Sequence, residues 1–233
     1  MTEIIREICF DTETTGLDPR DGHKVIEIGC VELINKVKTG KFFHAYINPQ
    51  RDVPDEAFKI HGISTEFLQD KPLFSNVAND FVEFVKDAKL VAHNAAFDMK
   101  FINFELRQCN LEIIERGWVI DSLQIARSKF PGASNSLDGL CKRFGIDLSK
   151  RIKHGALLDA ELLADIYLEL SGGSQVSMFG NQVKDEIIVQ TSEVREKKRI
   201  AIPARNFALS EEEIALHQEF IKNNLKENPW NDQ

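Results

Sequence analysis

Residues 4–16 read Ile4-Ile5-Arg6-Glu7-Ile8-Cys9-Phe10-Asp11-Thr12-Glu13-Thr14-Thr15-Gly16. Ile4–Glu13 is short and nearly continuous in apolar residues, the pattern of a buried strand. Side chains alternate along a strand, so Asp11 and Glu13 fall on one side of it. Two adjacent carboxylates repel, and without a partner one of them tends to hold a proton. A hard divalent cation such as Mg2+ or Mn2+ removes that conflict and suits oxygen ligands. The plain alternative is a solvent-facing strand end with two acidic residues.

Gly16, Pro19, Asp21 and Gly22 read as a turn that returns the chain to a second strand, Val25–Leu33, and then to a less clearly alternating third, Lys41–Ile47. This resembles an antiparallel start to a sheet. After Pro54 the period changes. Phe74–Val85 carries Val77, Phe81, Phe84 and Val85 at helical spacing. Leu90–Ala92 is a brief strand, Phe97–Leu106 a helix, and Val119–Ile120 strand-like. Ser136–Phe144 opens on a serine cap. Ala156–Leu170 repeats Leu158, Leu162, Ile166 and Leu170 every fourth residue. Strands first, then strands alternating with helices, predict an α/β domain with a central mixed sheet flanked by helices.

The chain of 233 residues is long enough for one well-buried domain and an appendage. No apolar run nears the ~20 residues that span a bilayer. The charged start, Met1 to Glu7, does not read as a signal peptide, so a cytoplasmic protein without a membrane partner is expected. Cys9, Cys30, Cys109 and Cys141 lack zinc-knuckle spacing, and Cys9 and Cys30 sit in apolar strands as buried, reduced thiols. A net charge of −8 argues against gripping long duplex nucleic acid through a broad basic face. It leaves room for an enzyme that holds a few nucleotides through cations.

Two further clusters carry chemistry. His93-Asn94-Ala95-Ala96-Phe97-Asp98 leaves a strand and enters a helix. Asn94 is placed to cap it, and Asp98 falls in the first turn, where the helix dipole favours a carboxylate. His93 alone reads as a hydrogen-bonded buried histidine. In His154-Gly155-Ala156-Leu157-Leu158-Asp159, five residues of helix rotate by about 140°. The two side chains therefore share a site only if His154 precedes the helix and Asp159 lies inside it. Asp159 also interrupts an apolar stripe, and a buried carboxylate needs a partner.

Asp-x-Glu on a strand, Asn-x-x-x-Asp at a helix start and His-x-x-x-x-Asp at a later helix start, in that order, resemble the DEDDh (DnaQ-like) 3′→5′ exonucleases over about residues 5–171. The resemblance implies an RNase H-like fold. It implies two divalent cations, Mg2+ or Mn2+, held by Asp11, Glu13, Asp98 and Asp159, with His154 as the general base. A sister group carries tyrosine four residues before the last Asp, where this chain has Gly155. The same likeness makes Asp11, Glu13, Thr14, Thr15, Leu17, His61, Asn94, Phe97, His154 and Asp159 the expected contacts of a single-stranded or frayed DNA 3′ end. A basic run of Lys142, Arg143, Lys150, Arg151 and Lys153 reads either as a lining of the phosphate path or as a solvated surface.

The segments 135–141 and 154–173 closely resemble proofreading members of that family, which serve bacterial replicative polymerases. On that reading residues 1–173 are the exonuclease domain. Residues 174–209 are a linker whose Gln175, Met178 and Phe179 form a sliding-clamp-binding motif. Residues 210–233 are the end of a flexible tail, with a capping box at Ser210, and would tether the polymerase alpha subunit. A stand-alone exonuclease that trims RNA or single-stranded DNA, and a catalytically silent scaffold, are the competing expectations.

Overall fold

A computed structural model describes residues 4–149, 151, 153–172 and 216. Among them are five strands: β1 (Arg6–Thr14), β2 (Val25–Ile34), β3 (Val37–Tyr46), β4 (Lys89–Ala92) and β5 (Val119–Asp121). The helices are α1 (Asp55–His61), α2 (Thr65–Leu68), α3 (Phe74–Val85), α4 (Ala95–Gln108), α5 (Ser122–Lys129), α6 (Leu137–Phe144) and α7 (Ala156–Leu170). The strands form one mixed sheet in the order β3-β2-β1-β4-β5. β1 runs antiparallel to β2 and parallel to β4. The expected α/β architecture, a central mixed sheet flanked by helices, is present.

β1 is central, and its two faces feed two different layers. Ile8 and Phe10 are fully buried against α3 and α4, with Phe81, Phe101 and Ile102. Cys9 faces the other way, against Ala160, Leu163 and Ala164 of α7. Each such buried apolar side chain contributes roughly 1.5–3 kcal/mol. The same alternation continues into the polar end of the strand. Asp11 and Glu13 therefore share the α7 side, and Thr12 faces α4.

α7 is buried along more than one face. Leu162, Ile166 and Leu170 pack with Leu140 and Cys141 of α6, while Ala160 and Ala164 let the helix lie close on the sheet. Gly29, paired with Asp11 across β1 and β2, completes that approach. A Cβ there would collide with the backbone of Ala156 and Leu157. The first turn of α7 thus rests directly on β2.

β3 is longer at its start than its sequence suggests, since it begins at Val37. It leaves a tight hairpin whose Asn35 and Lys36 both have positive φ, 50° and 63°. Much of β3 is exposed at the sheet edge, so it lacks the apolar alternation that marks a half-buried strand. Lys38 and Lys41 guard that edge. Cys9, Cys30 and Cys141 are buried, and all four cysteines are free thiols, as expected. Among the described residues no helix is long and apolar enough to cross a membrane. The linker, the clamp motif at Gln175, Met178 and Phe179, and the tail lie outside the described residues, apart from Leu216.

Candidate active site

The polar end of β1 stands between two clefts. One, of about 510 Å³, is lined by Asp11, His93, Arg127, Asn135, Arg151, His154 and Asp159, among others. The other, of about 560 Å³, is lined by Glu13, Thr14, Thr15, Leu17, Glu56, His61 and Phe97, among others. Asp11 thus opens on the first cleft and Glu13 on the second.

His154 lies just before α7, and Asp159 in its first turn, with Gly155 between them as an extended cap residue. This is the arrangement that the five-residue spacing demanded. His154 Nδ1 is 3.2 Å from Asp159 Oδ2. Ligand atoms of Glu13, His154 and Asp159 all lie within 4.8 Å of one another. Asp98 enters from the opposite layer, in the first turn of α4, where it accepts from Thr12 N at 3.1 Å and from Thr12 Oγ1 at 2.8 Å.

Burial and like charge crowd these carboxylates. Burial, and then the charges of Asp98, Glu13 and Asp159, push Asp11 well above the ordinary carboxylate range. Glu13 is pushed up to about 8 by burial and by Asp159 and Glu27. Asp98 is pushed up to about 7 by burial, against the pull of the Thr12 hydrogen bonds. Asp159 behaves differently. Burial raises it, but the hydrogen bonds from Arg151 and the nearness of His154 prevail and hold it below its ordinary value.

Arg151, from the basic run, is buried beside Asp159. Its side chain is 7% exposed and forks onto Asp159, with Nε 2.6 Å from Oδ1 and Nη2 2.7 Å from Oδ2. It also reaches Asp138 and donates to His154 Nδ1 at 2.7 Å. The guanidinium lines the first cleft with its donors engaged by these three side chains. Nothing near it in sequence signals that pairing.

Asn94 is a correction to the sequence reading. It stands at the start of α4, but its φ of 73° puts it in the left-handed region and its side chain makes no cap. Its own N–H is instead received by Asp121 at 3.2 Å. Asn94 is exposed and lines neither cleft. His93 is half-buried with both ring nitrogens partnered, by Ser122 and by Asn135 O, each at 2.9 Å. His61 accepts from Ile63 N at its Nδ1, 3.0 Å away, which leaves the proton on Nε2. That buried Nε2 has no hydrogen-bond partner among the described residues. Leu17, at the mouth of the second cleft, is 78% exposed. Glu56 was not singled out from sequence, because it looks like an ordinary first-turn acid of α1.

The fold and the cleft together define an exonuclease of the RNase H-like kind. A family model described as Exonuclease (RNase_T) matches residues 8–167. The chain belongs to that family, and it is a 3′→5′ exonuclease. Its relatives include the DNA polymerase III subunit epsilon of Rickettsia conorii, 51% identical over 228 residues, covering 95% of this chain and 97% of that one. The DNA polymerase III subunit epsilon of Escherichia coli K12 is 44% identical over 224 residues, covering 93% of this chain and 92% of that one. Among solved structures, exonuclease X in complex with 5′-overhanging duplex DNA aligns with a TM-score of 0.55 at 25% identity, covering 76% of this chain and 94% of that one. The nuclease domain of 3′hExo, a DEDDh family member, shares the fold with a TM-score of 0.59 at 19% identity, covering 72% of this chain and 91% of that one.

Exonucleases of this group use divalent metal ions, and the donors here fit one. Hard oxygens and an imidazole converge, and the raised Asp11 and Glu13 are the groups a cation would return to their charged forms. A sign follows for stability. The unfolded chain releases the Glu13 proton near 4.5, but the folded one near 8. Between those values the folded state binds more protons, so its stability falls as pH rises. In chelator, the melting temperature is therefore expected to drop between pH 5.5 and 8.5 by an amount worth up to a few kcal/mol. Glu13→Gln should flatten the trend; an unchanged slope in that variant would show that Glu13 is not its source.

Proposed function

We propose that the chain is the proofreading exonuclease of a bacterial replicative DNA polymerase. It removes mispaired 3′-terminal nucleotides as nucleoside 5′-monophosphates. The observation that carries this reading is likeness to polymerase III epsilon subunits over nearly the whole chain, tail included, supported by the convergence of Glu13, His154 and Asp159.

Asp11, Glu13, Asp98 and Asp159 would hold two cations, Mg2+ or Mn2+, which would supply activation of the attacking water and charge stabilisation of the leaving 3′ oxygen. His154, 49% exposed at its side chain, takes the water's proton. Asp159 and Arg151 orient the imidazole. The terminal nucleotide lies along the second cleft, over the backbone of Thr14 and Thr15. Leu17 and Phe97 pack against its base, and the unpartnered His61 Nε2–H donates to a sugar or phosphate oxygen. Glu56 adds an acceptor that fits a terminal hydroxyl.

Residues 1–173 act as the catalytic domain. Gln175, Met178 and Phe179 in the 174–209 linker engage the sliding clamp, and residues 210–233 tether the polymerase alpha subunit. Such a protein works in the cytoplasm at the replication fork. The test is co-purification with polymerase subunit and clamp, before and after deletion of residues 174–233, beside hydrolysis of matched DNA, mispaired DNA and RNA ends. Retention of both partners by the full chain alone, with mispaired DNA cut fastest, is expected. Preference for RNA with neither partner bound would overturn the reading.

A further inference from the structure

Glu27 is a carboxylate that hydrolysis does not call for. It lies in β2 directly across from Glu13 in the register of the sheet and is 2% exposed. Its Oε2 accepts from Ala156 N at 3.0 Å, and its Oε1 is 2.7 Å from His44 Nε2. Ala156 is the first residue of α7, and the cap residue Gly155 offers no side chain to receive that N–H. A helix start leaves its first N–H groups without partners of its own. Here the acceptor comes from a neighbouring strand, more than 120 residues earlier in the chain.

We propose that Glu27 is a positioning residue for hydrolysis: by capping α7 from β2 it sets where His154 and Asp159 meet Glu13. His154 is two residues before the capped N–H and Asp159 three residues after it. The helix start is fixed from two directions. Gly29 sets how closely the first turn approaches β2, and Glu27 sets its advance along the strand. Both Glu27 oxygens are engaged, one by the backbone of α7 and the other by His44. His44 holds the far oxygen, so the carboxylate cannot swing toward the clefts without losing that partner.

The inference rests on the exonuclease reading of this site, which hydrolysis by the wild-type chain tests separately. Three variants of the full chain are compared: Glu27→Gln keeps the reach without the charge, Glu27→Asp keeps the charge without the reach, and Glu27→Ala removes both. The readouts are steady-state hydrolysis of a single-stranded oligonucleotide and Mn2+ affinity by calorimetry, with thermal melting as a check on folding. Glu27→Gln is expected to stay within about 3-fold of wild type in kcat. Glu27→Asp and Glu27→Ala are expected to lose about 10- to 100-fold in kcat, the range seen when partners that orient metal-site groups are removed. KM should move less than about 2-fold in all three, because the second cleft is untouched. If Glu27→Gln is as impaired as Glu27→Ala and loses Mn2+ affinity with it, Glu27 is a ligand and the proposal falls. Full activity in Glu27→Asp would overturn it equally, and that comparison stands even if Glu27→Ala does not fold.

Discussion

Asp11→Ala is expected to cut hydrolysis by well over ~100-fold, more than the loss of an outer-shell partner costs, while the folded domain becomes no less stable. Asp11 stands at the polar end of the central strand, where burial and four neighbouring carboxylates push it far above its ordinary range. Removing it takes away repulsion and only a small apolar contact. The catalytic loss and the structural gain should therefore point in opposite directions. Single-turnover hydrolysis of an end-labelled oligonucleotide in Mg2+, set beside thermal melting in chelator, measures both. Near-wild-type turnover would remove Asp11 from the cation site. A collapse in melting temperature would instead mark it as a structural residue.

His154→Ala is expected to lose about 10² to 10⁴ in kcat, the contribution of a positioned general base. The ring sits 3.2 Å from Asp159 and within 4.8 Å of the Glu13 and Asp159 ligand atoms, so it is placed to serve either as a base or as a cation ligand. The two roles separate in Mn2+ affinity. A base leaves affinity near wild type when it is removed, while hydrolysis falls. A ligand lowers affinity as far as Asp159→Ala does. The second result would reassign His154 and leave the proton to another acceptor.

How much of this was readable in the chain depended on the range of the interaction. The five signature positions were legible because each combines a local element with a rare residue: an acid at a strand end, an acid in a first helical turn, a histidine just outside a helix. α7 was read at its observed bounds because its apolar residues repeat without interruption except at Asp159. α1, α2 and α5 carry no such stripe and went unread. The pairing of Arg151 with Asp159 was not legible, because the two, though close in sequence, meet only in the folded chain. Asn94 was misread because asparagine both caps helices and tolerates positive φ, and the sequence alone does not say which property is used. Glu27 left a faint trace, an acid inside an apolar strand, but its partner is the backbone of a distant helix.

The alternation along β1 has a consequence for how damage to this enzyme should appear. Thr12 holds Asp98 from one helical layer, while Asp11 and Glu13 face the layer that brings Asp159. The reacting groups are thus split across a sandwich and meet only at its edge, so the site works as a caliper of how the two layers are aligned. A core substitution far from either cleft that lets α4 and α7 slip by a fraction of an ångström would slow hydrolysis long before it loosened the fold.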